Sequence, residues 1–253
     1  MAEGAIESDA PVVQHAASSP PPVAPVIHVL AAATAIAIGV FLYLVFFQAP
    51  TEVQMGISQK IFYIHVPSAY GMYFGYTISA VAGMIYLAKR SDRADAWSLA
   101  GAEIGTLFVL IVLITGPLWG RKAWGTFWVW DPRLTSTLLT GLIYVSFLAL
   151  RGFGQVGEVE KRFAAALAVI GFPLLFVIKY SVKRWSGQHP VVVSGGGGGI
   201  HDDMKPAFFT GFVVISLLAL LLIVIRVAIE RSRQEVERAT IDAATRGLLG
   251  GDS

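Results

Sequence analysis

Two histidines and a run of tryptophans are the residues of this chain best suited to chemistry. His65 stands in the stretch IFYIHVP, and His189 lies in a late polar connection. Between them, Trp119 to Thr135 reads WGRKAWGTFWVWDPRLT. Four of the six tryptophans fall between Trp119 and Trp130, and the run closes on Asp131-Pro132-Arg133. Imidazole is a good axial ligand for haem iron, and two imidazoles on opposite sides give a six-coordinate iron of low reactivity. Indole faces match the apolar plane of a porphyrin. Arginine or lysine nearby can neutralise its carboxylates through charge-assisted hydrogen bonds. Each signal also has a plainer reading. Tryptophans at a membrane edge form an aromatic belt, a histidine at a helix mouth serves as a cap, and a loop histidine is solvated. Residue types alone leave both sets of readings open.

The conformation of the tryptophan run is open in the same way. A helix there puts Trp124, Phe127, Trp128 and Asp131 on one face, by their i, i+3, i+4, i+7 spacing. An extended strand puts Trp124, Thr126, Trp128 and Trp130 on one face instead. The helix is the preferred expectation.

The elements that must position these groups follow from composition. Of 253 residues, 55% are hydrophobic and 14% charged, far fewer charges than a soluble domain carries. Several apolar runs reach the ~20 residues that cross a bilayer as helix. The fold class expected is an all-α integral membrane protein: a bundle of six transmembrane helices with a tryptophan-rich interfacial segment, 119–135, on its outer face. The spans are expected near 26–47, 65–88, 97–118, 134–150, 163–180 and 206–225. Pro67 would sit in the first turn of the second span, where its missing N–H has no partner to lose, and that puts His65 at a helix mouth. Residues 1–25, rich in Pro and Ala and without Lys or Arg, read as a disordered tail. They lack the basic start of a secretory signal, so no cleavage is expected. The membrane domain would run over 26–228 and a charged C-terminal tail over 229–253.

Six spans put both termini on one side. Eleven of the nineteen Lys and Arg residues then fall on that side and eight on the other, a bias that favours cytoplasmic termini. The eight on the outer side, Arg121, Lys122 and Arg133 among them, imply something there to neutralise. Glu103 in the third span is expected to be structural or interfacial, since it lies close to the Lys89–Arg93 charges. The run Gly195–Gly199 marks a loop, and no phosphate cradle, because no Lys-Ser/Thr follows it.

Other function classes are excluded. With no cysteine, disulfides, zinc thiolates, iron–sulfur clusters and thioether attachment are impossible. The net charge of +2 and the lack of a basic cluster argue against nucleic acid. No HExxH or GxSxG supports a hydrolase.

WGTFWVWDPRLT resembles the tryptophan-rich WGxxWxWD signature of haem-handling membrane proteins. IFYIHVP, and the spacing of Ser181, Val182, Trp185 and His189, are similar to the cytochrome c maturation protein C group of that family, also called haem exporter protein C. The similarity covers roughly residues 57–190. It implies a site on the periplasmic face of the bacterial inner membrane that binds haem b without a covalent bond. There His65 and His189 would be the axial ligands to the iron. Trp119, Trp124, Trp128, Trp130, Asp131 and Arg133 would surround the porphyrin. Apart from the resemblance, His201 in the same late connection stands as an alternative to His189 as ligand. The resemblance further implies delivery of haem to the chaperone CcmE, with the ATP-binding-cassette subunits CcmA and CcmB and the small membrane subunit CcmD as partners in the lipid bilayer. At Phe127 many members carry another tryptophan; a phenyl ring keeps the stacking face and loses the N–H donor. The expected role is presentation of haem and not catalysis. The alternative expectation is a membrane subunit of an exporter that moves haem across the bilayer. Polar residues in the spans, such as Ser79, Glu103 and Thr115, are too sparse to outline that path.

Overall fold

The computed structural model describes residues 23–152, 157–185, 187–189 and 199–247, with the side chains of 182 and 183 left aside. Residues 1–22 of the expected N-terminal tail, most of the glycine run and the last six residues lie outside these, and α1 takes up residues 24 and 25. Six helices carry the fold: α1 (Ala24–Tyr43), α2 (Phe62–Lys89), α3 (Asp92–Trp124), α4 (Pro132–Gly152), α5 (Glu158–Trp185) and α6 (Lys205–Thr245). All six belong to segments long and apolar enough to cross a membrane. A bilayer core offers backbone amides no water, so a helix, which bonds its own N–H and C=O groups, is the form these runs must take.

Two expectations are corrected. Pro67 is not in the first turn of its helix, because α2 begins at Phe62 and a 3-10 turn, Ile57–Ile61, precedes it. Gly211 of α6 lies against this spot: a Cβ on it would meet Pro67 Cγ and the Tyr63 carbonyl oxygen, each at 2.9 Å. The absent side chain lets α6 close on the turn where proline supplies no N–H. The tryptophan run is also not an interfacial helix. Its first part is the end of α3, which continues to Trp124 and stops at Gly125 in the left-handed region at φ 78°, the usual glycine helix stop. Residues 126–131 are non-helical.

The tightest seam joins α2 to α3. Gly71, Gly75, Ser79 and Gly83 recur every fourth residue along α2, so they share one face. A Cβ on Gly75 would come within 2.5 Å of the Gly105 nitrogen, and one on Gly101 within 2.6 Å of the Ser79 nitrogen. Lipid tails are as apolar as leucine. Helices in a bilayer therefore associate through such close backbone contact, not through burial from water. Beside the seam, Tyr76 and Tyr144 stack with centroids 3.6 Å apart. The Tyr144 hydroxyl donates toward the Tyr76 and Ala168 carbonyls at 3.1 and 3.2 Å. With Phe108, these rings are wholly buried and fill the middle of the bundle.

Buried charged groups at both ends find partners. Buried Lys60 donates to the carbonyls of Val45 and Ala49. It so caps the π-turn Leu44–Gln48 that closes the first span. At the opposite end of the bundle, Arg151 of α4 forms a two-pronged pair with Asp95 of α3 at 2.8 and 2.9 Å. Its Nη2 lies 3.5 Å from Glu230 of α6. Gln234 donates to the same Asp95 at 3.3 Å. Glu103 pairs with Arg226 of α6, which agrees with a structural role.

Placing a methyl group at the helix seam should be costly. Gly75→Ala is expected to destabilise the detergent-solubilised protein by about 1–3 kcal/mol through overpacking. Gly39→Ala, whose Cβ would meet nothing within 4 Å, should leave the melting temperature unchanged. Equal melting of the two variants would contradict the seam.

Candidate functional site

At the end of the bundle away from the Arg151 clasp, the helices part around a cavity of about 660 Å³. This volume suits a small-molecule or cofactor site. The first turns of α2, the last turns of α3, the start of α4 and the end of α5 form its walls. Most of the lining is aliphatic or aromatic. The polar exceptions include His65, His189, Arg133 and Lys179.

His65 is the fourth residue of α2. Its Nδ1 lies 2.9 Å from Thr115 Oγ1. The threonine hydroxyl gives its one proton to the Ile111 carbonyl at 2.6 Å, so toward the imidazole it can only accept. Nδ1 therefore carries the hydrogen, and Nε2 keeps a lone pair for a metal or another donor. Gly116 makes room, since a Cβ there would sit 3.2 Å from His65 Cε1.

The structure brings His189 to the same place. The two imidazole centroids are 6.3 Å apart and their planes differ by 30°. Two imidazoles on one metal, each with a bond of roughly 2 Å, have centroids about 6 Å apart. The observed spacing accommodates that arrangement. His189 is held by Arg133, whose Nη1 lies 3.1 Å from His189 Nδ1. The same guanidinium donates from Nε to the Ile178 carbonyl at 3.3 Å and from Nη2 to the Lys179 carbonyl at 3.5 Å. Among the described residues it forms no ion pair with a carboxylate, so a cation faces an apolar chamber with neutral acceptors only.

The remaining expected residues divide. Trp119, Trp124 and Trp128 line the cavity. Trp119 meets Trp124 edge to face at 5.5 Å, and Trp128 meets Trp130 at 5.7 Å. The Trp128 indole nitrogen is buried without a hydrogen-bond partner among the described residues. An orphaned N–H on a cavity wall suits an incoming acceptor. Trp130 is 76% exposed and, with Asp131, is not among the described residues of the wall. Asp131 instead caps α4. Its Oδ1 accepts from the Leu134 N–H at 2.7 Å, with Pro132 at the first helical position, as the capping rules favour. Its buried Oδ2 faces Gly187, where a Cβ would approach to 2.8 Å. The aspartate thus sits under the turn that carries His189 two residues on. His201 is exposed beside Asp203.

Thr115 and Gly187 are residues of the site whose part in it the sequence did not disclose. A hydroxyl in an apolar span one turn before Trp119 was a usable signal; nothing local pointed to Gly187.

A family model described as Heme exporter protein C matches residues 16–245. Heme exporter protein C of Bradyrhizobium diazoefficiens is 40% identical over 160 residues, which cover 63% of this chain and 60% of that protein. The protein of the same name from Escherichia coli strain K12 is 40% identical over 144 residues, covering 56% and 58%. A putative cytochrome c biosynthesis ccmC-like mitochondrial protein of Marchantia polymorpha is 35% identical over 172 residues, covering 68% and 73%. The chain thus spans about three-fifths of the length of the two bacterial relatives it matches.

If Asp131 works as a helix cap, its charge is dispensable and its oxygen is not. Asp131→Ala should lower stability by about 0.5–2 kcal/mol, whereas Asp131→Asn, an equally good cap, should stay near wild type. Thermal unfolding in detergent distinguishes them, and equal losses in both would rule out capping as the main role.

Proposed function

This chain belongs to the Heme exporter protein C family, and from that premise we propose that it holds haem b for cytochrome c maturation. The site would lie on the periplasmic face of the bacterial inner membrane, with both termini in the cytoplasm. The observation that supports this best is the facing pair of imidazoles, His65 and His189, 6.3 Å apart at a tryptophan-lined apolar cavity. In this reading both histidines bind the iron, His65 through Nε2. The faces of Trp119, Trp124 and Trp128 pack on the macrocycle, which has little to gain from water. Arg133 and the Trp128 N–H receive the propionates. Trp130 projects outward, where it can meet a partner that comes for the cargo.

The protein makes and breaks no covalent bond of the porphyrin in this scheme. Haem passes to the chaperone CcmE, and CcmA, CcmB and CcmD are the remaining partners. The rival reading, a passage for haem through this chain's own helices, meets an obstacle. Tyr76, Tyr144 and Phe108 are fully buried and fill the middle of the bundle.

His65→Ala and His189→Ala should each abolish or strongly shift the Soret absorbance of protein purified from haem-replete cells. Unchanged spectra in both variants would refute the ligand assignment. Thr115→Val keeps the shape and removes the acceptor that orients His65. A loss of roughly 10–100-fold in haem affinity is expected, the usual effect of removing a partner behind a metal ligand.

A further inference from the structure

The two histidines are held in opposite tautomers. Thr115 accepts from His65 Nδ1, which leaves Nε2 as the nitrogen with a lone pair. At His189 the partner is a guanidinium, and a guanidinium can only donate. Nδ1 of His189 therefore presents its lone pair to Arg133, and in the neutral ring the hydrogen resides on Nε2. One imidazole is ready to bind a metal as it stands, while the other has its lone pair occupied.

We propose that Arg133 is a latch on His189 that only a carboxylate-bearing porphyrin releases, so that binding of the porphyrin acids and formation of the second iron bond are coupled. This rests on the haem reading above. Arg133 is suited to the exchange. Its three partners are two carbonyls and an imidazole, at 3.1–3.5 Å, all neutral and at the long end of hydrogen-bond distances. A carboxylate offers it shorter bonds between two charged groups, often two in parallel from the planar fork. The unpartnered Trp128 N–H on the same cavity wall supplies a second donor for that carboxylate. When the guanidinium turns to the carboxylate, His189 Nδ1 is given up. The ring proton leaves Nε2 and one returns at Nδ1 through solvent, with no change of net charge, and the Nε2 lone pair becomes available to iron. His65 needs no such step. It is the standing ligand, and His189 is the conditional one.

The test compares two ferric porphyrins on the full-length protein in detergent: protoporphyrin IX with free propionates, and its dimethyl ester. Wild type should give a six-coordinate, low-spin spectrum with the diacid and a high-spin spectrum, with His65 alone bound, for the diester. Arg133→Leu removes the latch without adding a group that can bind iron, so its diester complex should shift to low spin. A low-spin diester complex in wild type would overturn the latch, and this arm requires no variant. A diester complex of Arg133→Leu that stays high-spin, while its diacid complex is low-spin, would also overturn it. The haem reading fails separately. In that case the wild-type diacid spectrum is indifferent to His189→Ala, whatever the diester does.

Discussion

The contact on which the rest depends is the approach of α2 and α3 to backbone distance at Gly75, Gly101 and Gly105. The two helices run antiparallel, joined by Arg90 and Ser91 alone. From the crossing toward the cavity, ten residues separate Gly75 from His65 on one helix and Gly105 from Thr115 on the other. At 1.5 Å per residue both paths are about 15 Å long, so the seam delivers the imidazole and the hydroxyl to the same height. A side chain at the crossing would move the helices apart and shift that register. The tautomer of His65 is in this sense set by a glycine contact about three turns along the helix from the ring it serves.

The bundle treats its two ends differently. Where α3 begins and α4 ends, Arg151 meets Asp95 and Glu230, and Gln234 adds a further donor. Buried charges of this kind cost desolvation that only close pairing offsets, and here the pairing is internal. At the cavity end, Arg133 is given carbonyls and an imidazole instead of an acid, and Trp128 has a buried N–H without an acceptor. The first end pairs its charges with one another. At the second, a guanidinium and an indole N–H form no ion pair or hydrogen bond with a carboxylate among the described residues.

Much of this was legible in the sequence. Apolar run length gave the six helices, because the bilayer leaves backbone groups no other solution. The histidines stood out because imidazoles near a tryptophan-rich motif are chemically pointed. The tryptophan run departs from the expected helix, and two local signs mark the departure: Gly125 after the last helical residue, and Asp131-Pro132 before the next helix. Periodicity over eight residues outweighed them, and it does not register where a helix stops. Pro67 misled in a similar way, since a proline tolerated inside a membrane helix looks the same as one at its start. The partners of Thr115 and Arg133 were beyond reach. His65 is fifty residues from one, and His189 is fifty-six from the other. No local pattern encodes such meetings.

The rings of Tyr76, Tyr144 and Phe108 are fully buried and are not among the described residues that line the cavity, so filled core lies between that chamber and the Arg151 end of the bundle. Where an occupant enters and leaves such a chamber by one opening, filling and emptying have to alternate. Turnover through such a compartment is governed by how fast its tenant leaves, and a second copy waiting outside cannot push the first one out.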